Sequence, residues 1–225
     1  MSANPIYVAI DTSDLAAAGA LARAVVPHVG GLKLGLQFFM AHGPDGVRRM
    51  QGYGLPIFLD IKLHDIGNTV AGAMASLAPL KVAIVNLHAT IGLKAMQAAR
   101  AAIDPATAII AVTVLTSFDD ADLSAIGTSA RVTDQVTRLT GMAHASGLQG
   151  IVCSGAEVAQ HRAAWPEAII AVPGLRPDGG ERGDQKRVMT PRAARDAGAS
   201  ILVVGRPITD AADPAAAAAA IAASL

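Results

Sequence analysis

The chain has 225 residues, 52% of them hydrophobic and 16% charged, which suits one compact unit over residues 1–225 and leaves two independent domains a tight fit. Lys plus Arg and Asp plus Glu each total 18, so the formal charge is zero and no global field draws the chain to nucleic acid or an anionic membrane. One cysteine, Cys153, excludes an internal disulfide, and Gly150-Ile151-Val152-Cys153-Ser154 reads as a buried strand end with an inert thiol.

Met1-Ser2-Ala3-Asn4-Pro5 lacks a basic region followed by an apolar stretch, so the expected location is the cytoplasm. Short β-branched runs then alternate with Ala- and Leu-rich helical stretches. A strand from Ile6 to Ile10 leads to a helix from Asp14 to Val26. Strands follow from Gly31 to Leu34 and from Ile57 to Ile61, then a helix from Thr69 to Ala78. A strand from Val82 to Leu87 precedes a helix from Leu93 to Ile103. The run Ala108 to Val114, a fifth strand, is far shorter than the roughly 20 residues a membrane span needs. A helix from Arg131 to Ser146, a strand from Gly150 to Cys153, a helix from Ala156 to Ala164 and a strand from Ala168 to Val172 continue the alternation. A helix from Pro191 to Ala197, a strand from Ile201 to Val204 and an Ala-rich closing helix begun by Asp213-Pro214 complete it.

Eight strands, each followed by one helix, average about 28 residues per unit and fit a single α/β (β/α)8 TIM barrel. A doubly wound sheet is disfavoured, because no G-x-G-x-x-G turn follows a strand and helices follow strands to the end. In such a barrel the chemistry belongs at the C-terminal ends of the strands.

The third strand ends in Phe58-Leu59-Asp60-Ile61-Lys62-Leu63-His64-Asp65-Ile66-Gly67-Asn68-Thr69. Asp60 and Lys62 are two apart and share a face of a strand, while Leu59 and Ile61 take the other. Burying such a pair is costly, since one opposite charge at about 4 Å returns only about 4 kcal/mol at an effective dielectric near 20. Asp65 adds a second carboxylate and Lys33 a second ammonium at a comparable point of the second strand. Two acids and two lysines can alternate so that each ammonium is held and oriented for proton donation. The plain alternative is a salt-bridge network on the barrel rim. His64 suits capping or surface duty, and His88 suits a hydrogen-bonded core position as well as catalysis. Six scattered histidines give no zinc spacing, and the lysines would repel magnesium from Asp60 and Asp65, so no metal is expected.

Val172 to Val188, after the seventh strand, is long and rich in Gly and charge, and Gly205-Arg206-Pro207 follows the eighth strand. Barrels often bind phosphate with the loops after their last two strands. Gly205 lets backbone N–H groups approach an anion, Arg206 supplies a charged fork, and Gln185 offers an amide donor. Arg176 to Lys186 is expected to close over a substrate.

Val8-Ala9-Ile10-Asp11, Leu32-Lys33-Leu34-Gly35, the Asp60 to Thr69 segment, Leu115-Thr116-Ser117, Pro173-Gly174-Leu175-Arg176-Pro177, Gly183-Asp184-Gln185 and Val204-Gly205-Arg206-Pro207 closely resemble, in order, the bacterial-type orotidine 5′-monophosphate decarboxylase family. The resemblance implies a cofactor-free lyase that makes uridine 5′-monophosphate. It implies that Asp60, Lys62 and Asp65 with Lys33 form the charge array, Asp65 reaching the other subunit of a homodimer. Asp11 and Thr69 would hold the ribose side of the nucleotide, Thr69 again across the interface. Thr116 would meet the pyrimidine, and Arg176, Gln185, Gly205 and Arg206 the phosphate. One departure is Gly67, where many members carry Pro; Gly allows a looser turn and removes no chemical group.

Losing CO2 from C6 of orotate leaves an electron pair in the ring plane that no adjacent carbonyl delocalises, so fixed charge from Lys62 must stabilise it and Lys62 then protonates C6. The rival within the superfamily is a magnesium-dependent sugar-phosphate decarboxylase or hexulose-phosphate synthase. Those relatives carry an acidic residue where Lys33 stands. A Schiff-base aldolase on Lys62 and a non-catalytic phosphate-binding barrel are the other readings.

Overall fold

β-branched and aliphatic runs become strands here because both of their faces are covered. The computed structural model describes residues 4–177 and 189–225. Strands β1 (Ile6–Ile10), β2 (Gly31–Gly35), β3 (Ile57–Leu63), β4 (Ile84–His88), β5 (Ala108–Val112), β6 (Gly150–Val152), β7 (Ile169–Val172) and β8 (Ile201–Val204) pair in parallel in chain order. β1 pairs with β8, through Ile6 with Leu202 and Val8 with Val204, and closes the barrel.

Helices α1 (Leu15–Val25), α2 (Leu36–Gln51), α3 (Gly67–Leu77), α4 (Leu93–Ala101), α5 (Asp120–Ala125), α6 (Val132–Ala145), α7 (Val158–Ala164), α8 (Pro191–Asp196), α9 (Arg206–Thr209) and α10 (Pro214–Ala223) surround it. One helix per strand is corrected at two places: β5 is followed by α5 and α6, and β8 by α9 and α10. The sequence reading also names no helix between β2 and β3, where α2 runs. Gly43 at φ 54 and Pro44 interrupt its period, and α2 bends across them.

Alternation along the strands sorts the core into two layers. Val8, Leu32, Leu34, Leu59, Val85 and Ile109 face outward against helix residues such as Phe38, Met50, Met74 and Met96. Tyr7, Ala9, Phe58, Ile84, Ile110 and Val203 fill the barrel itself. Each large aliphatic side chain so buried contributes about 1.5–3 kcal/mol. On four neighbouring strands the inward column turns polar toward the C-terminal end: Ala9 gives way to Asp11, Gly31 to Lys33, Phe58 to Asp60, and Ile84 to Asn86 and His88.

Caps fix the segments that leave this mouth. Asp14 accepts hydrogen bonds from Ala16 N at 2.8 Å and Ala17 N at 3.0 Å and starts α1, so the Asp11 to Ser13 turn has a set exit. Asp213 does the same for α10, accepting from Ala216 N at 3.0 Å ahead of Pro214.

Gly67 occupies the first position of α3, after Ile66 at φ -63 and ψ 155, which is the backbone a residue before proline prefers. A Cβ at Gly67 would meet Ala95 Cα at 3.4 Å, an ordinary contact. Gly67→Pro is therefore expected to raise unfolding free energy by about 0.4–1 kcal/mol in urea titration, by narrowing the unfolded ensemble. A less stable variant would show that the turn needs the glycine.

Candidate active site

β2 and β3 run side by side with Gly35 opposite Asp60, which brings Lys33 beside Asp60 at the barrel mouth. Lys33 Nζ lies 2.9 Å from Asp60 Oδ2 and 3.3 Å from Asp11 Oδ1. Lys62 Nζ lies 2.5 Å from Asp60 Oδ1. Asp11, Lys33, Asp60 and Lys62 thus form one chain of alternating charge. Lys33 and Asp60 are buried, whereas the Lys62 side chain is 35% exposed and so open to a ligand. A Cβ at Gly35 would overlap Asp11 Oδ1, so glycine there makes room for the Asp11 to Lys33 contact.

Burial pushes the Asp60 carboxyl up, but the Lys33 and Lys62 charges, and the hydrogen bonds both lysines donate, outweigh it and hold the group at about 2. Asp60 is therefore a fixed negative charge at neutral pH. His88 is held below the ordinary histidine range, first by burial and then by the charges of His64 and Lys62, against Asp60. The His64 and His88 rings lie 5.4 Å apart, and His64 Nε2 is 3.2 Å from Thr90 Oγ1.

Asp60 and Lys62 meet, though not through the pleat of a regular strand. Leu59 pairs with Val85 and Leu63 with Leu87, so Asp60, Ile61 and Lys62 together stand opposite Asn86 alone. Within this bulge Lys62 has φ 50, a left-handed conformation that costs a non-glycine residue about 1–3 kcal/mol unless its surroundings hold it. Asn86 is fully buried; its Oδ1 accepts from Lys62 N at 2.8 Å and its Nδ2 donates to Asp60 Oδ1 at 2.7 Å. Sequence reasoning missed Asn86. The signal was present as a carboxamide at an inward position between Ile84 and His88, in a strand whose other positions before His88 are apolar.

A cavity of about 920 Å³ opens beside the array, lined by Asp11, Lys33, Asp60, Arg176, Gly205 and Arg206 among others. The segments after β7 and β8 thus share one cavity with Asp11, Lys33 and Asp60, while Lys62 is not among its lining residues. Arg176 is buried, donating from Nη1 to Leu175 O at 2.9 Å and from its backbone N to Met189 O at 3.0 Å. Arg206 opens α9 and is exposed, with Gly205 just before it.

Other expected site residues stand elsewhere. Asp65 is exposed and accepts from Ile66 N at 2.6 Å; it makes no ion pair among the described residues, so one chain alone does not seat it beside Lys62. Thr69 is exposed in the first turn of α3. Thr116 is half-buried on the segment after β5 and does not line the cavity. Gln185 and the expected closing segment beyond Pro177 lie outside the described residues. Among the described residues no three His, Cys, Asp or Glu side chains gather as ligands for a metal ion.

The model of the orotidine 5′-phosphate decarboxylase / HUMPS family matches residues 4–221. The chain is 58% identical over 222 residues to the orotidine 5′-phosphate decarboxylase of Novosphingobium aromaticivorans, spanning 99% of both chains. It is 56% identical to that of Sphingopyxis alaskensis, spanning 94% of both. The crystal structure of orotidine 5′-phosphate decarboxylase from Lactobacillus acidophilus is similar with a TM-score of 0.84 at 32% identity, covering 97% of each chain.

Proposed function

The chain belongs to the orotidine 5′-phosphate decarboxylase / HUMPS family, and we propose that it converts orotidine 5′-monophosphate to uridine 5′-monophosphate, the last step of de novo UMP synthesis, without a cofactor. The observation that carries this reading is the ion-paired run Lys33, Asp60, Lys62, whose Lys33 and Asp60 line one cavity together with Arg176, Gly205 and Arg206.

The C6 to carboxylate bond breaks, CO2 leaves, and the electron pair stays on C6 in the ring plane. The Lys62 ammonium, already held by Asp60, stabilises that pair through a charge that needs no reorganisation, then passes a proton from Nζ to C6 and regains one from solvent. Asp11, Lys33 and Thr69 hold the ribose side, Thr116 the pyrimidine, and Arg176, Gln185, Gly205 and Arg206 the phosphate. Binding the phosphate away from C6 fixes the ring against Lys62. Incubating the purified chain with orotidine 5′-monophosphate should give the absorbance loss of decarboxylation, undiminished by a chelator. Turnover that required added magnesium would favour a sugar-phosphate enzyme instead, and no turnover would favour a binding module.

A cytoplasmic homodimer with shared sites and no nucleic-acid or membrane partner belongs to the same proposal. In its support, α2, α3 and α4 follow neighbouring strands, and large apolar residues are exposed at their N-terminal ends, Leu36 opening α2, Ile66 just before α3 and Leu93 opening α4. Asp65 and Thr69 lie close to Ile66 in the chain and are exposed as well. Among the described residues no helix is long and apolar enough to cross a membrane. Mixing inactive Lys62→Ala with inactive Asp65→Asn should restore turnover, because one site of the mixed dimer then keeps its own Lys62 and the partner's intact carboxylate. Mixtures that stayed inactive after subunit exchange would place Asp65 in its own chain's site or in none.

A further inference from the structure

We propose that Asn86 is a positioning residue whose carboxamide sets the Lys62 backbone and the Asp60 carboxylate together; this rests on the role given to Lys62 above. The bulge on β3 leaves Lys62 N without a ladder partner on β4, and the Asn86 side chain supplies the acceptor that a backbone carbonyl would otherwise provide. The same amide donates to Asp60 Oδ1, the oxygen that holds Lys62 Nζ. Asp60 Oδ2 meanwhile faces Lys33. Both ends of the Lys62 residue, backbone and ammonium, are thereby referred to one buried side chain.

Packing alone does not ask for an amide at this point. Ile84 below it and Ile110 and Val112 on the next strand fill the barrel interior with hydrocarbon. A carboxamide placed in such surroundings is costly unless both its groups are bonded, and here both are. The chemistry is also specific. Aspartate would face Asp60 with a second negative charge and no donor, and leucine offers neither bond. Without the amide, Lys62 has no support for its left-handed backbone and relaxes toward the extended region, which re-aims the side chain away from Asp60.

Asn86→Leu, which keeps the volume, is expected to lower kcat about 100-fold, the usual scale for a catalytic group misplaced by about 1 Å. Its dissociation constant for uridine 5′-monophosphate, measured by calorimetry, should stay within about threefold of wild type, because the phosphate and ribose contacts are untouched. Asn86→Asp retains the acceptor for Lys62 N and should show the same split, which covers the case of a leucine variant that does not fold. A kcat near wild type in a folded variant overturns the proposal, as does a fall in kcat matched by an equal loss of nucleotide affinity, the mark of a merely structural residue. A crystal structure of Asn86→Leu gives an answer independent of turnover: Lys62 should leave its positive φ and Nζ should part from Asp60. A wild-type chain inactive on orotidine 5′-monophosphate would sink the decarboxylase reading, while the variant structure would still decide whether Asn86 positions Lys62.

Discussion

Lys62→Ala should lower kcat by about 10⁴-fold or more, combining about 10²–10³ for a lost preorganised charge with about 10²–10⁴ for a lost general acid. The two contributions fall on one atom, Nζ, so no other side chain of the array can replace either alone. Lys33 is the nearest ammonium, but it is buried between Asp11 and Asp60 and engaged with both. The loss belongs in kcat more than in nucleotide affinity, since Arg176, Gly205 and Arg206 line the cavity and Lys62 does not. Thermal unfolding should change little: the Lys62 side chain is 35% exposed, and Asp60 keeps Lys33 as a partner. A variant retaining a tenth of wild-type kcat, by absorbance loss of orotidine 5′-monophosphate, would remove Lys62 from the chemistry. Borohydride inactivation of wild type in the presence of a carbonyl substrate would point instead to a Schiff base.

The barrel was legible because both faces of every strand are buried, so β1 and β8 read as apolar runs whose limits coincide with the expected ones. At β3 a limit slipped where polar function interrupts the pattern, and β5 stops at Val112 short of the expected Val114. β3 runs to Leu63, beyond the expected end at Ile61, because its pairing with β4 resumes after the bulge. Asp60, Lys62 and Lys33 were legible since charges at inward positions near strand ends are costly without a use. Asn86 was not, because its meaning lies in a register shift between two strands, and single-chain alternation carries no information on register. Asp65 reads as the second acid of the array and Thr69 as a ribose contact from across an interface, yet in one chain both are exposed and Asp65 caps Ile66 N instead.

Asp60→Asn should lower kcat by about 10²–10³, the scale for removing one preorganised electrostatic group, and should also make stability less dependent on acid. The carboxylate touches Lys33, Lys62 and Asn86, so the substitution leaves a buried lysine whose remaining partner, Asp11, is 51% exposed. The sign with pH follows from the direction of the shift. Asp60 titrates at about 2 in the folded chain and near 3.9 when unfolded, so the unfolded chain binds the proton first. The stabilisation from its ionised form is therefore complete above about pH 5 and is mostly gone as pH falls toward 2, an effect of about 2 kcal/mol. Urea unfolding should show wild type ahead of Asp60→Asn at pH 7, with the gap narrowing through pH 3. A gap that stayed constant or widened on acidification would mean that the lysines do not hold this carboxylate in its charged form, and the preorganisation assigned to Lys62 would lose its cause.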